Sequence, residues 1–276
     1  MTYARITILV ENTARDRGLL AEHGLAFWIE WGSIRILFDT GQGQALRGNA
    51  GKLGIPIQSA HAVVLSHGHY DHTGGLHDAL DMARNAFVFA HPAAFAPKYA
   101  RNADGTARAI GIQEPDERAS RGRLTWVHGP LQICEGLHLT GPVPRLTDFE
   151  DTGGAFFADE GCLRPDELPD DQAAFLETSA GTVVILGCAH AGVINTLNYV
   201  RQLTGHRPVH TVIGGMHLLS AGEERMRRTV EELRRLEVKQ LLPMHCTGFE
   251  AAARLWREFP GRCFSCPVGG RIDLSP

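Results

Sequence analysis

The segment Val63-Val64-Leu65-Ser66-His67-Gly68-His69-Tyr70-Asp71-His72-Thr73-Gly74-Gly75-Leu76 constrains this chain more than any other. Its first residues read as the end of a buried strand, and that strand runs straight into a turn with three histidines and one aspartate. Side chains two positions apart share a face of an extended chain, so His67 and His69 project the same way. Asp71 and His72 follow where the chain bends towards a helix, and aim at a second point close by. Gly68, Gly74 and Gly75 permit the tight backbone path. Neutral imidazole and carboxylate gathered in one place suit a zinc ion, with manganese(II) and iron(II) as borderline neighbours. A polar surface turn gathers one histidine by chance; four potential ligands in HxHxDH order behind a strand are a site pattern.

Composition narrows what such a site serves. Histidine, the commonest metal ligand, is the outlier at 14 of 276 residues. A net charge of −4, from 27 basic and 31 acidic residues, excludes a dedicated basic surface for nucleic acid. With 43% hydrophobic and 21% charged residues the chain has the balance of a soluble globular protein, which excludes disorder, collagen and a coiled-coil rod. No apolar run approaches a membrane span. The apolar stretch at residues 6–10 is too short for an export signal and has no small-residue cleavage site behind it, so a cytoplasmic location is the default. Six cysteines in a chain of this size are no disulfide framework. Cys263-Phe264-Ser265-Cys266 lacks the second pair a zinc ribbon needs, and reads as structural or incidental.

Short apolar runs at residues 6–10, 34–38, 62–65, 87–90, 183–186, 209–213 and 240–243 predict strands, and residues 25–34 predict a hairpin turning at Gly32-Ser33. Residues 223–236 predict a helix with Met226, Val230, Leu233 and Leu236 on one face; 249–259 predict another with Ala252, Leu255, Trp256 and Phe259 together. Hairpins followed by strand–helix alternation indicate an α/β chain of sheets with helices packed outside. No linker or repeat divides residues 1–276, which read as a single domain. Residues 92–165 hold proline, glycine and arginine without clear periods, and look like an insertion or lid over the site.

Three more segments place chemistry at strand ends: Ile36-Leu37-Phe38-Asp39-Thr40-Gly41, Val184-Ile185-Leu186-Gly187-Cys188-Ala189-His190-Ala191-Gly192, and Leu241-Leu242-Pro243-Met244-His245-Cys246-Thr247-Gly248. Strand ends at one sheet edge converge, so His67, His190 and His245 can meet in space. The HxHxDH turn behind a strand resembles the metallo-β-lactamase superfamily, and the other motifs stand in that family's order along most of the chain. The resemblance implies a four-layer αβ/βα sandwich with the site at one edge, under the insertion. It implies that Asp39 orients a ligand histidine without touching the metal. It further implies one or two zinc ions: His67, His69 and His190 on one, Asp71, His72 and His245 on the other, with Asp71 also orienting the nucleophile or passing a proton to the leaving group. Many members carry a bridging aspartate where this chain has Gly187-Cys188. Either Cys188 or His190 takes that part, or the metal is held less symmetrically, and Cys188 reads equally as a small buried hydrophobe.

Residues 187–195, Gly214-Gly215-Met216-His217-Leu218, residues 245–248 and residues 140–150 resemble the dihydropterin-synthase-like branch of that superfamily. The branch is named for a member implicated in making a dihydropterin linked to ribofuranosylaminobenzene 5′-phosphate. His217 then reaches substrate or the metal's outer surroundings, or simply opens a helix. Arg145 forks a substrate phosphate or carboxylate, or pairs at the surface with Asp148 or Glu150. His23, His77 and His128 read as ordinary loop residues. The expected activity is hydrolysis of a small phosphorylated or cyclic-phosphate metabolite, pterin-related, by a metal-bound hydroxide whose parent water has its pKa brought from about 15.7 to about 7. The alternatives are a thioester, lactone or β-lactam hydrolase, and a catalytically silent metal-binding metabolite sensor. The expected partner is an anionic small molecule, with no nucleic acid and no membrane; a homodimer is left open.

Overall fold

Strands buried on both faces lose the in–out alternation of a half-exposed sheet and read as continuous apolar runs. That is how the runs above are used in the computed structural model, which describes residues 4–112 and 123–275. The first part of the chain forms β1 (Ala4–Val10), β2 (Ala26–Trp31), β3 (Ile34–Phe38), α1 (Leu46–Leu53), β4 (Ala62–Val64), α2 (Tyr70–Thr73), α3 (Leu76–Met82) and β5 (Phe87–Ala90). Six short strands follow: β6 (Tyr99–Arg101), β7 (Ala107–Ala109), β8 (Leu124–Trp126), β9 (Leu131–Cys134), β10 (Leu137–Leu139) and β11 (Phe156–Phe157). The last part holds β12 (Ala173–Thr178), β13 (Gly181–Leu186), α4 (Val193–Leu203), β14 (Val209–Gly215), α5 (Glu223–Arg235), β15 (Gln240–Met244), α6 (Phe249–Glu258) and β16 (Arg271–Leu274).

The chain divides into two compact units. One is drawn from Met1–His128, Ala155–Asp170 and Pro267–Leu274, the other from Gly129–Gly154, Asp171–Cys266 and Ser275–Pro276. The first unit carries a seven-stranded sheet in the order β16-β1-β2-β3-β4-β5-β8 and a small sheet β11-β6-β7. Its β3, β4, β5 and β8 run parallel. Trp28, Leu37, Val63 and Val88 on one face of the large sheet pack with Leu46 and Ala50 of α1 and with Leu76, Ala79 and Leu80 of α3. The alternate residues Ile6, Ile8, Phe27, Ile29 and Phe38 are buried as well.

The second unit carries a six-stranded sheet in the order β15-β14-β13-β12-β10-β9, in which β13, β14 and β15 are parallel. Parallel neighbours need crossovers, and α4 and α5 supply them. Both pack with α6 on one sheet face: Val193, Leu197 and Val200, then Met226, Val230 and Leu233, then Ala251 and Leu255, with Phe259 beyond, meet Phe175, Val184, Val212 and Leu241. The predicted face of α5 is the one that is buried. In α6 Ala251, Ala252 and Leu255 are buried, with Phe259 just past its end, and of the predicted face Trp256 alone is half-buried.

Residues 92–165 are more regular than their sequence suggests. Outside residues 113–122, which are not among those described, the segment supplies β8 to the seven-stranded sheet, β9 and β10 to the six-stranded sheet, and all of β6, β7 and β11. Three-residue strands are too short to show a period, which is why they read as irregular chain. Replacing Leu233, fully buried in α5, with alanine is expected to lower the unfolding free energy by about 2–5 kcal/mol. Replacing Arg227, whose surface pairs with Glu224 and Glu231 are solvated, with alanine should leave the unfolding midpoint almost unchanged; denaturant titration of both variants measures the contrast.

Candidate metal centre

In the first unit, β3 and β4 end side by side and release their functional residues from the same edge. Asp39 leaves β3 at a positive φ of 59° while its N–H still donates to the Val64 carbonyl at 2.8 Å. Its carboxylate, fully buried, accepts from Ser66 N and Ser66 Oγ, each at 2.7 Å, and from His72 Nδ1 at 2.7 Å. Ser66 spends its hydroxyl proton on Asp39, so the 2.9 Å contact of its Oγ with His67 Nδ1 has the imidazole donating. Both His67 and His72 therefore carry their proton on Nδ1, assigned from the network, and turn an Nε2 lone pair outward.

His67 Nε2 and His69 Nδ1 stand 3.0 Å apart, and the rings of His67 and His72 have centroids 4.3 Å apart. Two nitrogens on one tetrahedral zinc, at about 2.0–2.1 Å from it, sit a little over 3 Å from each other, so the pair fits a shared ion. The chain bends into α2 at His69, and Asp71, 8% exposed, lies with its carboxylate 3.2 Å from His23 Nε2. That contact removes His23 from the ordinary loop residues; nothing in its sequence neighbourhood announced it. Phe156 of β11 packs on the His69 ring at 4.9 Å.

A second support lies behind the turn. Gly68 N donates to Asp170 Oδ2 at 2.7 Å, and the buried Lys98 ammonium meets Asp170 Oδ1 and Asp166 Oδ2, each at 2.9 Å. A Cβ on Gly68 would stand 2.1 Å from the Ala94 carbonyl oxygen, so no other residue lets the turn lie this close. The ion triad is invisible to a sequence reading, because each member alone looks like a solvated surface charge.

In the second unit the parallel strands β13, β14 and β15 present their C-terminal ends together, the usual ligand edge of an α/β sheet. After β13 come Cys188 and His190, after β14 His217, after β15 His245 and Cys246. Ala189, His217 and His245 all have positive φ, at 54°, 45° and 49°. Non-glycine residues held there are strained and cluster at functional sites. Cys188, His190 and His217 offer ligand atoms within 4.8 Å of one another, and so do Cys188, His245 and Cys246. His190 Nδ1 donates to the Thr152 carbonyl at 2.8 Å, which again leaves Nε2 as the ligand atom, and Ala191 N donates to Asp171 Oδ2 at 2.8 Å. A Cβ on Gly215 would meet Cys246 Sγ at 2.5 Å; the glycine makes room for the thiol.

Burial alone would push the Cys246 thiol up, but hydrogen bonding with Cys188 and the charge and hydrogen bond of His217 outweigh it and hold the thiol well below its usual range. The His217 imidazole moves the other way: burial opposes its protonation, and Cys246 more than offsets this and raises it. Cys188, itself buried, is the hydrogen-bonding neighbour of that thiol. Sequence reasoning overlooked Cys246 although it adjoins a candidate ligand. All six cysteines are free thiols, and burial pushes Cys263 up to about 12, in keeping with a structural reading of its CxxC.

Residues 140–150 are pinned to the start of α4. Asn195 Oδ1 accepts from Leu146 N and Thr147 N at 2.9 Å, and Glu150 accepts from Ile194 N at 2.9 Å and Asn195 N at 2.8 Å. Arg145 is half-buried on this loop, while Asp148 pairs with Arg228 at 2.7 Å.

Comparison with known proteins places these motifs. The family model described as the metallo-beta-lactamase superfamily matches residues 21–245. The chain belongs to the metallo-beta-lactamase superfamily. Among curated relatives, it is 31% identical over 253 residues to 7,8-dihydropterin-6-methyl-4-(beta-D-ribofuranosyl)-aminobenzene-5'-phosphate synthase of Methanocaldococcus jannaschii, covering 87% of this chain and 85% of that one. It is 35% identical over 254 residues to an uncharacterised protein of the same organism, covering 91% and 93%. Among solved structures it is similar to Tm1679, a metal-dependent hydrolase of the beta-lactamase superfamily, with a TM-score of 0.83, 30% identity and coverage of 99% and 100%. The fold protein YhfI from Bacillus subtilis shares the metallo-beta-lactamase fold at a TM-score of 0.56 and 14% identity, covering 99% and 100%. Members of this superfamily are mostly metal-dependent hydrolases that bind divalent metals, and this chain carries clusters of histidine, cysteine and aspartate.

Two predictions follow from the supports. Lys98→Met leaves two buried carboxylates without their cation and should cost about 3–5 kcal/mol in chemical unfolding, while adding Asp166→Asn and Asp170→Asn should return much of the loss. Burial raises the Glu150 carboxyl, and its bonds to Ile194, Asn195 and Thr147 offset this only in part. A raised folded value means the contribution is fully present below the unfolded value of about 4.3 and is lost as pH rises through the folded one. Stability measured against pH should show that fall in the parent protein and a flatter profile in Glu150→Gln.

Proposed function

We propose that the histidine-bearing turns hold metal for hydrolysis of a small phosphorylated or cyclic-phosphate metabolite in the cytoplasm. The observation that carries the reading is the common wiring of three histidines. His67, His72 and His190 each spend Nδ1 on a protein acceptor, Ser66 Oγ, Asp39 and the Thr152 carbonyl, and so keep Nε2 for a cation. As the resemblance implies, His67, His69 and His190 would hold one ion and Asp71, His72 and His245 a second, with Cys188 or His190 standing where many members carry an aspartate. The thiols of Cys188 and Cys246 favour zinc or iron over magnesium.

Such an ion, when bound, lowers the pKa of a coordinated water to about 7 and polarises a phosphoryl or carbonyl oxygen. The chain's own residues do the rest. Asp71 would take a proton from the attacking water and return it to the leaving oxygen, with His23 Nε2 at 3.2 Å orienting its carboxylate before the first transfer. His217, next to His190 at a ring separation of 4.2 Å, hydrogen-bonds the substrate side of the centre. Arg145 contributes a fork for an anionic group from the 140–150 loop. The phosphate in the substrate rests on the branch motifs and on the ester named in the 31% identical relative.

The test is metal analysis joined to a turnover screen. Purified protein is expected to carry zinc, manganese or iron, His67→Ala and His190→Ala to lose most of it, and Asp39→Ala to bind it about 10–100-fold more weakly. Phosphomonoesters, phosphodiesters, thioesters and lactones are then compared. Turnover confined to thioesters or lactones would move the substrate class. Full metal content with no turnover on any class would make the chain a binding protein.

A further inference from the structure

Arg225 lies in the first turn of α5 and is 7% exposed. Its Nη1 meets Asp151 Oδ1. Its Nε and Nη2, the two N–H groups that form one edge of the guanidinium, are buried without a hydrogen-bond acceptor. A buried donor left unsatisfied is costly, more so on a charged group. Neighbouring carboxylates do not relieve it. Glu150 feels the charge of Arg225, yet both its oxygens are already engaged, Oε1 by Ile194 N and Oε2 by Asn195 N and Thr147 Oγ1. Asp151 Oδ1 also takes Gly153 N at 2.7 Å. His217, whose ring packs on His190, feels the same guanidinium charge.

We propose that the Nε/Nη2 edge of Arg225 is the receptor for an anionic oxygen pair of the substrate, a phosphate or a carboxylate, held beside His217. The inference deepens the hydrolase reading and rests on it, and it makes Arg225 a specificity-determining residue that the sequence did not single out. Two parallel N–H groups match two oxygens of one anion in a way no single ammonium can. Asp151 fixes the third nitrogen and thereby the plane of the fork. Because its own side chain is 74% exposed, it orients the guanidinium without engaging the buried Nε/Nη2 edge.

Inorganic phosphate and acetate are the probes, titrated calorimetrically into metal-loaded parent protein, Arg225→Gln, Arg225→Lys and Asp151→Asn, with metal content measured in each. Phosphate or acetate should bind the parent protein, at least tenfold more weakly to Arg225→Gln, and intermediately or as weakly to Arg225→Lys, which keeps the charge and loses the fork. Metal content should stay equal across the set, and Asp151→Asn should retain binding. The anion that shows the loss identifies the source. Equal affinity in parent and Arg225→Gln, or no binding of either anion to the parent, would overturn the proposal while leaving the metal reading to its own measurement. Loss in Asp151→Asn equal to that in Arg225→Gln would reduce Arg225 to a structural ion pair and overturn it as well.

Discussion

Asp39 is the point from which the histidine turn takes its geometry. A carboxylate with no exposure is tolerable only when its lone pairs are used, and here one group accepts from the backbone and hydroxyl of Ser66 and from His72. The same three bonds fix which nitrogen of two imidazoles carries the proton. Stability and site chemistry are therefore not separable here. The bonds that make a buried charge affordable are the bonds that aim the rings, and the Asp39 N–H bond to Val64 ties both to the pairing of β3 with β4.

The second unit reaches a comparable result by different means. Its candidate ligands sit on backbone turned into the left-handed region at Ala189, His217 and His245, a conformation that costs an L-residue roughly 1–2 kcal/mol. The rows of buried side chains from α4, α5 and α6 over the parallel strands carry that expense. Asp171, which steadies the turn at Ala191, directly follows in sequence Asp170, which steadies the turn at Gly68.

What a reader of the sequence can see depends on how local the cause is. The HxHxDH turn was legible because strand, glycines and ligands are contiguous, and Asp39 because a carboxylate before glycine after an apolar run recurs in the resembling family. The buried faces of α5 and the long strands were legible from spacing. Lys98, Asp166 and Asp170 were not, since their burial is created by chain distant from them. His23 and Cys246 needed coordinates to show contact, and Arg225 hid among the arginines of a strongly charged helix. The strands within residues 92–165 were too brief to carry a period, so pieces of sheet looked like irregular chain.

The place of β16 in the first unit has a consequence for how the protein is made. Residues 271–274 pair with β1, Ala4 opposite Leu274 and Thr7 opposite Arg271, so one neighbour of β1 is made long after the strand itself. During synthesis at about 5–20 residues per second, that side of β1 keeps a row of open backbone groups until residues 271–274 emerge. Such an edge invites pairing with another nascent chain. The docking of β16 closes that window.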